Sequence, residues 1–206
     1  AADNGLPARA GLGPAAPSAR EMADQFSAAV TALAGRVHRA SSTEGVADLI
    51  AGIAHDQQAS TCISWDDEHL GCAGLLAALA SRGLTRIAYA VSGDPDRRLA
   101  ESGALAGVGL GVTGAHAALA DTGGIVLVSG PGRGRLVSAL PPVHVAVVEE
   151  RRLRPSLAAL LREEPGLLDA GSNVVIVAGP SRTADIEMTL THGVHGPKHV
   201  HVILRT

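Results

Sequence analysis

The sequence predicts an α/β fold, built on a mostly parallel sheet with helices on both faces. From Ala59 onward, short β-rich runs alternate with helical patterns, as in chains that form parallel sheets. Two of the runs are apolar, Val143–Val148 apart from one histidine and Val174–Ala178 without interruption, which is typical of strands covered on both faces. With 206 residues, 46% of them hydrophobic, the chain can bury a substantial core within one large domain.

The part before this alternation is predicted to contain a tail and two helices. Residues 1–17 are rich in Ala, Gly and Pro, and we expect them to form a flexible tail. Within residues 18–57, Ser18–Glu21 and Ser41–Glu44 have the spacing of capping boxes, and each is followed by apolar residues at helical intervals. We expect both helices to precede the first strand and to pack on the main α/β domain, residues 58–206.

The later elements follow from apolar runs and from the residues that interrupt them. Further strands are predicted at Ser60–Ser64, Arg86–Val91, Val108–Val112, Ile125–Ser129 and Val200–Leu204. Helices are predicted at Asp66–Arg82, Asp94–Gly103 and Pro155–Glu163. Gly83 ends the first of these helices, and Pro155 suits the first turn of the last. The pattern of Ala115–Ala120 fits either a helix or a strand.

Composition excludes several classes of function. Trp65, Tyr89 and Phe26 are the only aromatic residues and the net charge is −3, which disfavours nucleic-acid binding. Cys62 and Cys72 form no CxxC pair, so we expect two reduced thiols and no iron–sulfur cluster or other cofactor in this chain. Because no run of eighteen apolar residues and no signal-peptide pattern is present, we expect a cytoplasmic protein without a membrane span.

Two glycine-rich runs resemble nucleotide-binding loops without matching them. Gly109–Gly114 fits GxGxxG, but it lies within a predicted strand, and no acidic residue ends a following strand about twenty positions later. Gly130–Arg135 lacks the lysine and the hydroxyl residue of a P-loop. It is a turn that carries arginines, and Arg135 is a candidate ligand for an anion.

A more promising turn is Asp121-Thr122-Gly123-Gly124, directly before a predicted buried strand. The two glycines allow a tight turn whose backbone amides point into a cleft, next to a carboxylate and a hydroxyl. The alternative is an Asx-turn that binds no ligand.

The segment Ser181-Arg182-Thr183 follows a predicted strand and precedes a predicted helix. Helix amides and an arginine at that place form an anion site. Alternatively, Arg182 pairs with Asp121 or Asp185, while Asp185 and Glu187 stabilise the helix through its dipole. Glu187 is the better candidate for proton transfer.

Four histidines crowd the C-terminal region: His192, His195, His199 and His201. His195 precedes Gly196-Pro197 and therefore lies in a turn. Since no carboxylates accompany these histidines at fixed spacing, we predict hydrogen-bonding side chains that line a cleft and no bound metal.

The order of these motifs resembles the LUD domain family, in particular its lactate-utilisation C branch. The resemblance covers residues 40–206. It rests on Ala120–Gly123, Arg135 with Leu140-Pro141-Pro142, Gly179–Glu187, Gly193–Pro197 and His201–Leu204. The chain departs from the family at Gly124, where a hydroxyl residue is usual, and at His116, where an acidic residue is common.

The resemblance implies a fold similar to that of the sugar-isomerase and CoA-transferase superfamily. It also implies a role in oxidising L-lactate to pyruvate, together with two cysteine-rich iron–sulfur proteins. We therefore expect an accessory or substrate-handling subunit whose motif segments meet at one cleft for a small anion. Arg182 would bind the anion with Ser181, Thr183, Asp185, His192 and the amides of Thr122–Gly124. Asp121, Glu187 and His195 would hold or polarise it.

Two other functions fit the same residues. A free-standing enzyme acting on a small phosphorylated or acyl substrate would use Glu187 or Asp121 as its base or nucleophile. A non-catalytic scaffold would instead bind the cysteine-rich proteins through the two N-terminal helices.

Overall fold

The computed structural model describes residues 17–88, 105, 107–184, 190–192 and 196–206. Within these residues there are four α-helices: α1 (Ala19–Ala32), α2 (Thr43–Asp56), α3 (Leu75–Ser81) and α4 (Leu157–Glu163). The strands are β1 (Arg36–Ala40), β2 (Thr61–Ser64), β3 (Thr85–Arg86), β4 (Leu110–Thr113), β5 (Ala117–Leu119), β6 (Gly124–Ser129), β7 (Val143–Glu149), β8 (Leu153–Arg154), β9 (Asn173–Val177), β10 (Arg182–Ala184), β11 (Leu190–His192) and β12 (His199–Arg205). Short 3-10 helices lie at Asp67–His69, Arg135–Ser138, Glu150–Arg152 and Leu167–Asp169.

Six strands form the central sheet in the order β1-β12-β7-β4-β2-β3, and every neighbouring pair is parallel. This confirms the predicted α/β fold with a mostly parallel sheet flanked by helices. A second sheet has the order β8-β5-β6-β9, in which β6 is antiparallel to both of its neighbours. Strands β10 and β11 form a separate antiparallel pair.

The apolar core joins the two larger sheets. Alternate residues of β6, Ile125 and Leu127, belong to the main core together with the central strands. Val126 and Val128 of the same strand face a smaller core with Leu160 of α4. Strand β6 is therefore buried on both faces and lies between the two cores.

The N-terminal helices are integral to this domain. Phe26 of α1 and Ile50 of α2 are fully buried in the main core. The predicted capping box of α1 is confirmed, since the Ser18 hydroxyl accepts from the Glu21 amide and the Glu21 carboxylate accepts from the Ser18 amide at 2.8 Å. The cap of α2 is Ser42 instead of Ser41, one residue later than predicted.

Strand β1 lies between these two helices, so the prediction that both precede the first strand is wrong. Its sequence, Arg-Val-His-Arg-Ala, is too polar to resemble a buried strand. It forms because the edge position beside β12 leaves its charged side chains in contact with solvent.

The helix predicted at Asp66–Arg82 is interrupted. A 3-10 turn at Asp67–His69 is followed by Gly71 and Gly74, both with positive φ, and only then does α3 begin. Left-handed backbone at two positions is incompatible with a continuous α-helix. Of the strand predicted at Arg86–Val91, the part from residue 89 lies outside the described residues. So do the helix predicted at Asp94–Gly103 and the first sixteen residues of the predicted tail.

Strand β9 differs from its prediction in position. The run Val174–Ala178 suggested a strand covered on both faces, but β9 is the last strand of the four-stranded sheet, and Ile176 is 41% exposed. A run of β-branched residues suits either place, because β propensity does not specify which side of the strand is covered. Among the described residues, no helix is long and apolar enough to cross a membrane.

Candidate functional site

The strand order of the central sheet reverses between β2 and β4. The chain leaves β2 toward the outer strand β3, returns past β2 to β4, and continues inward to β7. In open α/β sheets, ligands bind outside the carboxyl ends of the strands at such a reversal, because the connections leave on opposite faces and open a crevice.

A pocket of about 190 Å³ opens at this place. We call it the edge pocket. Its lining comes from the C-terminal parts of β6 and β7, from residues that follow β2, β4 and β7, and from the loop after β6: Trp65, Glu68, His69, Gly71, Ala115, His116, Val128, Arg133, Val147, Glu149, Arg151 and Arg152. Three arginines and two histidines face two glutamates here, so cationic side chains outnumber carboxylates.

Glu149 is the last residue of β7, and it is only 8% exposed. Its carboxylate forms an ion pair with the Nε of Arg151. Gly71 lies directly against this carboxylate, because a Cβ there would come within 2.8 Å of Oε1. Gly71 also has a φ of +66°, and its carbonyl accepts a hydrogen bond from Arg205 at 3.0 Å. Because Gly71 has no side chain, the buried carboxylate of Glu149 can lie at the wall of the pocket.

The loop that follows β6 is fixed above the pocket by two hydrogen bonds. Trp65 Nε1 donates to the carbonyl of Gly134 at 3.2 Å, and the amide of Asp66 donates to the carbonyl of Gly132 at 2.8 Å. These contacts hold Arg133 at the pocket wall. The Nε of Arg133 is buried without a hydrogen-bond partner, and its guanidinium forms no ion pair with any described residue.

The opposite wall carries a hydrogen-bonded histidine. His116 Nε2 lies 2.7 Å from Oε2 of Glu164, and the His116 carbonyl accepts from Arg152 Nη1 at 3.1 Å. His69, nearer to β2, lies 3.3 Å from a Glu68 carboxylate oxygen. An acidic residue is common in the LUD domain family where this chain has His116. Here Glu164 supplies a carboxylate beside that position.

Two further histidines are buried away from the edge pocket. Burial lowers the pKa of His144 to about 4, and its Nε2 is 2.9 Å from the hydroxyl of Thr113. His201 stacks on His38, with 3.1 Å between Nδ1 and Nε2. Burial, and then the charges of His38 and Arg36, lower the pKa of His201 to about 4. His201 therefore lies inside the fold and does not line a cleft, contrary to the prediction. Within the described part of the chain, no cluster of His, Cys, Asp or Glu is arranged to hold a metal.

The turn predicted to bind an anion lies at the other end of β6. Asp121 and Thr122 are exposed, whereas Gly123 and Gly124 are buried. Gly123 has a φ of +67° and packs so tightly on α1 that a Cβ would come within 2.7 Å of a backbone nitrogen of that helix. Ile125 pairs with Val177, so the turn lies beside the chain that leaves β9.

The segment that follows β9 also contacts the turn at Gly196-Pro197. The amide of Ser181 donates to the carbonyl of Pro197 at 2.9 Å, which brings two of the predicted site segments together. Arg182 and His192 are backbone partners in the β10–β11 pair. Arg182–Ala184 forms strand β10, and the helix predicted after Thr183 falls on residues 185–189, which lie outside the described residues.

The remaining predicted residues fall into two groups. Asp185, Glu187 and His195, and the side chains of Arg182, Thr183 and His192, lie outside the described residues. Arg135 is described, and it lies near the Ser129 end of β6. The Thr122 turn precedes Gly124 at the opposite end, five strand steps and therefore about 17 Å away. The structure thus places the Thr122–Gly124 turn and the segment after β9 at one end of β6, beside α1, and Arg135 near the other end.

The edge-pocket residues were not among the candidates from the sequence. Their shared signal is position: each of three groups follows the end of a strand, at Trp65, at Ala115-His116 and at Glu149–Arg152. The run Glu-Glu-Arg-Arg directly after the apolar run of β7 is the clearest of these signals, because charged residues at that place meet the open edge of a parallel sheet.

Comparison with known proteins identifies relatives over most of the chain. A lactate utilization protein C of Halalkalibacterium halodurans is 34% identical over 152 residues, which cover 72% of this chain and 64% of that protein. The protein of the same name in Shouchella clausii is 34% identical over 143 residues, 68% of this chain and 59% of its own length. The chain therefore spans less than two thirds of the length of these relatives.

A solved structure and a family model agree with these matches. The crystal structure of a DUF162 family protein from Deinococcus radiodurans has a TM-score of 0.62 and 21% identity, covering 93% of this chain and 100% of that one, which shows the shared fold. The family model of the LUD domain matches residues 23–204, from α1 through β12. The chain therefore belongs to the LUD domain family.

Proposed function

We propose that this chain is the substrate-handling component of a system that oxidises L-lactate to pyruvate, and that the edge pocket binds the small carboxylate. The relatives named lactate utilization protein C support the pathway. The observation that carries the site is the position of the pocket, at the reversal of strand order and lined by Arg133, Arg151 and Arg152.

The lining suits a 2-hydroxy acid or 2-oxo acid. Guanidinium groups bind carboxylates through two parallel hydrogen bonds, and Arg133 has no competing carboxylate among the described residues. Glu149 then accepts a hydrogen bond from the substrate hydroxyl, which lactate has and pyruvate lacks. A volume of about 190 Å³ equals that of about six waters at ~30 Å³ each, enough for a small acid.

The electrons released from lactate need an acceptor. In this proposal they pass to iron–sulfur clusters on two cysteine-rich partner proteins, since the two cysteines of this chain form no CxxC pair. This chain's own contribution is then to bind and orient the carboxylate and to hold the hydroxyl proton near Glu149.

Calorimetric titration of the purified chain with L-lactate and with pyruvate tests the proposal. Replacing Arg133 or Arg152 by Gln removes a charge-assisted hydrogen bond worth about 1.5–3 kcal/mol, so we expect affinity to fall by at least about tenfold. The exposed Arg162, on α4, supplies the matched control, and R162Q should bind as the wild type does.

Complementation of lactate-dependent growth locates the site independently. If R133Q and R152Q support wild-type growth while R182A abolishes it, the anion binds at the Thr122 end of β6 and the edge pocket is not the site. If the wild-type chain binds neither acid, alone or with its partners, the substrate-handling role is wrong.

A free-standing enzyme is the second candidate, and the buried carboxylate of Glu149 favours it. A carboxylate at the wall of a small pocket is suited to act as a base or nucleophile. Turnover of a small phosphorylated or acyl substrate by the purified chain alone, lost in E149Q, would support this function over the subunit role.

A scaffold role for the N-terminal helices cannot be tested by deleting residues 1–40. Removing residues 1–40 would also remove Phe26 from the core and β1 from the central sheet. Loss of partner binding after such a deletion would then report unfolding. Substitutions at Arg20 and Gln25, which are exposed on α1 and lie outside its capping box, test the scaffold role without this loss.

A further inference from the structure

A second cavity lies beside the edge pocket, on the other side of Arg133. It has a volume of about 450 Å³, within the range of small-molecule sites. We call it the outer cavity. The side chains that matter to the argument belong to Ser129, Arg133, Arg135, Ser172 and Asn173. Arg133 is common to both cavities, so one guanidinium separates them.

The outer cavity is built where β6 ends and β9 begins. Ser129 and Asn173 are register partners in the antiparallel pair, and the amide of Ser172 donates to the carbonyl of Ser129 at 3.0 Å. Gly171 packs against the same carbonyl, where a Cβ would collide. The facing wall is the 3-10 helix that starts at Arg135. Both walls therefore rest on regular structure.

Two buried polar atoms of this lining have no hydrogen-bond partner. They are the Nε of Arg133, a donor, and the Oδ1 of Asn173, an acceptor. His144 Nδ1, His201 Nε2 and Arg205 Nε are unpaired in the same way elsewhere in the fold, so what distinguishes this cavity is its two arginines. Neither Arg133 nor Arg135 forms an ion pair with a described residue, and the lining contains no carboxylate.

We propose that the outer cavity is a second anion site, for a small organic phosphate that also carries a hydroxyl or amide donor. Two uncompensated guanidinium groups suit the three oxygens of a phosphate, which they bind through paired hydrogen bonds. Ser129, Ser172 and Asn173 supply polar side chains for the hydroxyl groups that a polyol phosphate carries in addition to its phosphate. The site is distinct from the edge pocket and does not depend on lactate binding, although Arg133 contacts both ligands.

Titration of the full chain with glycerol 3-phosphate, inorganic phosphate and glycerol tests this site. We expect saturable binding of glycerol 3-phosphate, weaker binding of inorganic phosphate, and none of glycerol. R135Q should weaken glycerol 3-phosphate binding at least tenfold, and N173A should reduce its affinity to that of inorganic phosphate. Arg135 is exposed, so R135Q should fold normally, which circular dichroism checks; R162Q is again the matched control.

Three results would overturn the proposal. They are no saturable binding of glycerol 3-phosphate, equal affinities for it and for inorganic phosphate, or unchanged affinity in R135Q. Parallel titrations with L-lactate keep the two proposals separate. Binding of glycerol 3-phosphate, with no binding of L-lactate or pyruvate to the chain alone or with its partners, leaves the outer site standing and removes the lactate role. Binding of lactate alone does the reverse.

Discussion

Acidification from pH 7 to pH 4 is expected to destabilise this domain through its buried histidines. His144, the second residue of β7, is 0% exposed, and burial lowers its pKa from 6.5 to about 4. In the unfolded chain the same imidazole regains its ordinary pKa. Between these two values the unfolded state binds a proton that the folded state does not, so the free energy of unfolding falls as the pH falls through this window.

The size of the effect follows from the difference of about 2.5 pH units between the two pKa values. Each pH unit corresponds to about 1.4 kcal/mol. His144 alone therefore lowers the free energy of unfolding at pH 4 by on the order of 3 kcal/mol relative to pH 7. The contribution is absent above pH 6.5 and fully developed below pH 4. His201, whose pKa is also lowered to about 4, acts in the same direction and window. Against a typical total of about 5–15 kcal/mol, two such groups bring the domain close to unfolding.

Urea unfolding at a series of pH values between 4.5 and 7.5 measures this slope. Each histidine should contribute about 1.4 kcal/mol per pH unit, and H144Q should remove one such contribution. H144Q also loses the hydrogen bond to Thr113, so its absolute stability falls, but the slope is the informative quantity. His55 has a side chain that is 91% exposed, and H55Q should keep the wild-type slope. Equal slopes for H144Q and the wild type would refute the reasoning.

Two further pairs of variants test the close packing and the helix caps. Replacing Gly123 by Ala forces a Cβ against the backbone of α1 at positive φ and should lower the free energy of unfolding by more than about 2 kcal/mol. Gly83 also has positive φ but no atom within 4 Å of the added Cβ, so G83A should cost about 1 kcal/mol; similar losses in urea titrations would contradict the packing argument. Replacing Ser42, which caps α2, by Ala should cost about 1 kcal/mol, whereas the exposed Ser41 should tolerate Ala within about 0.5 kcal/mol. A larger loss in S41A than in S42A would show that the cap is assigned to the wrong residue.

The strands that the sequence predicts well are those whose burial is complete. Apart from Ser129 and His144, Ile125–Ser129 and Val143–Val148 consist of apolar, largely β-branched residues, and both are strands within one residue of the predicted bounds. The resemblance to the LUD domain is confirmed by the family match. A strand buried on both faces needs a run of apolar residues. This run can be recognised in the sequence without knowledge of the turns or of distant contacts.

The elements that the sequence does not reveal depend on tertiary contacts. Strand β1 carries two arginines and a histidine in five residues, and only its pairing with β12 makes it a strand. Residues 182–184 form a strand through pairing with 190–192, although the acids that follow suggested a helix start. Local propensity is a weak predictor wherever a short segment can gain backbone hydrogen bonds from a neighbour.

The edge pocket illustrates the same limit for a site. Trp65, His116 and Glu149 are far apart in the sequence and become neighbours only because β2, β4 and β7 are adjacent and parallel. That adjacency depends on the reversal of strand order, which periodicity does not encode. A motif of consecutive residues is visible in the sequence, whereas a site assembled from three strand ends requires the topology.

The glycines near the predicted anion site are explained by packing, and this helps to locate the functional site. Gly123 and Gly179 both have positive φ, and at each a Cβ would come within 2.7 Å of the backbone near the C-terminal end of α1. The helix therefore lies directly on the turn and on the segment after β9, and packing alone requires glycine at both positions. At the other end of β6, by contrast, Arg133 and Arg135 line cavities and form no ion pair with a described residue, which packing does not explain. Arginines beside a cavity without an ion-pair partner are better evidence for a ligand than glycines that packing already requires, and this places the weight of the functional argument at the Ser129 end of β6.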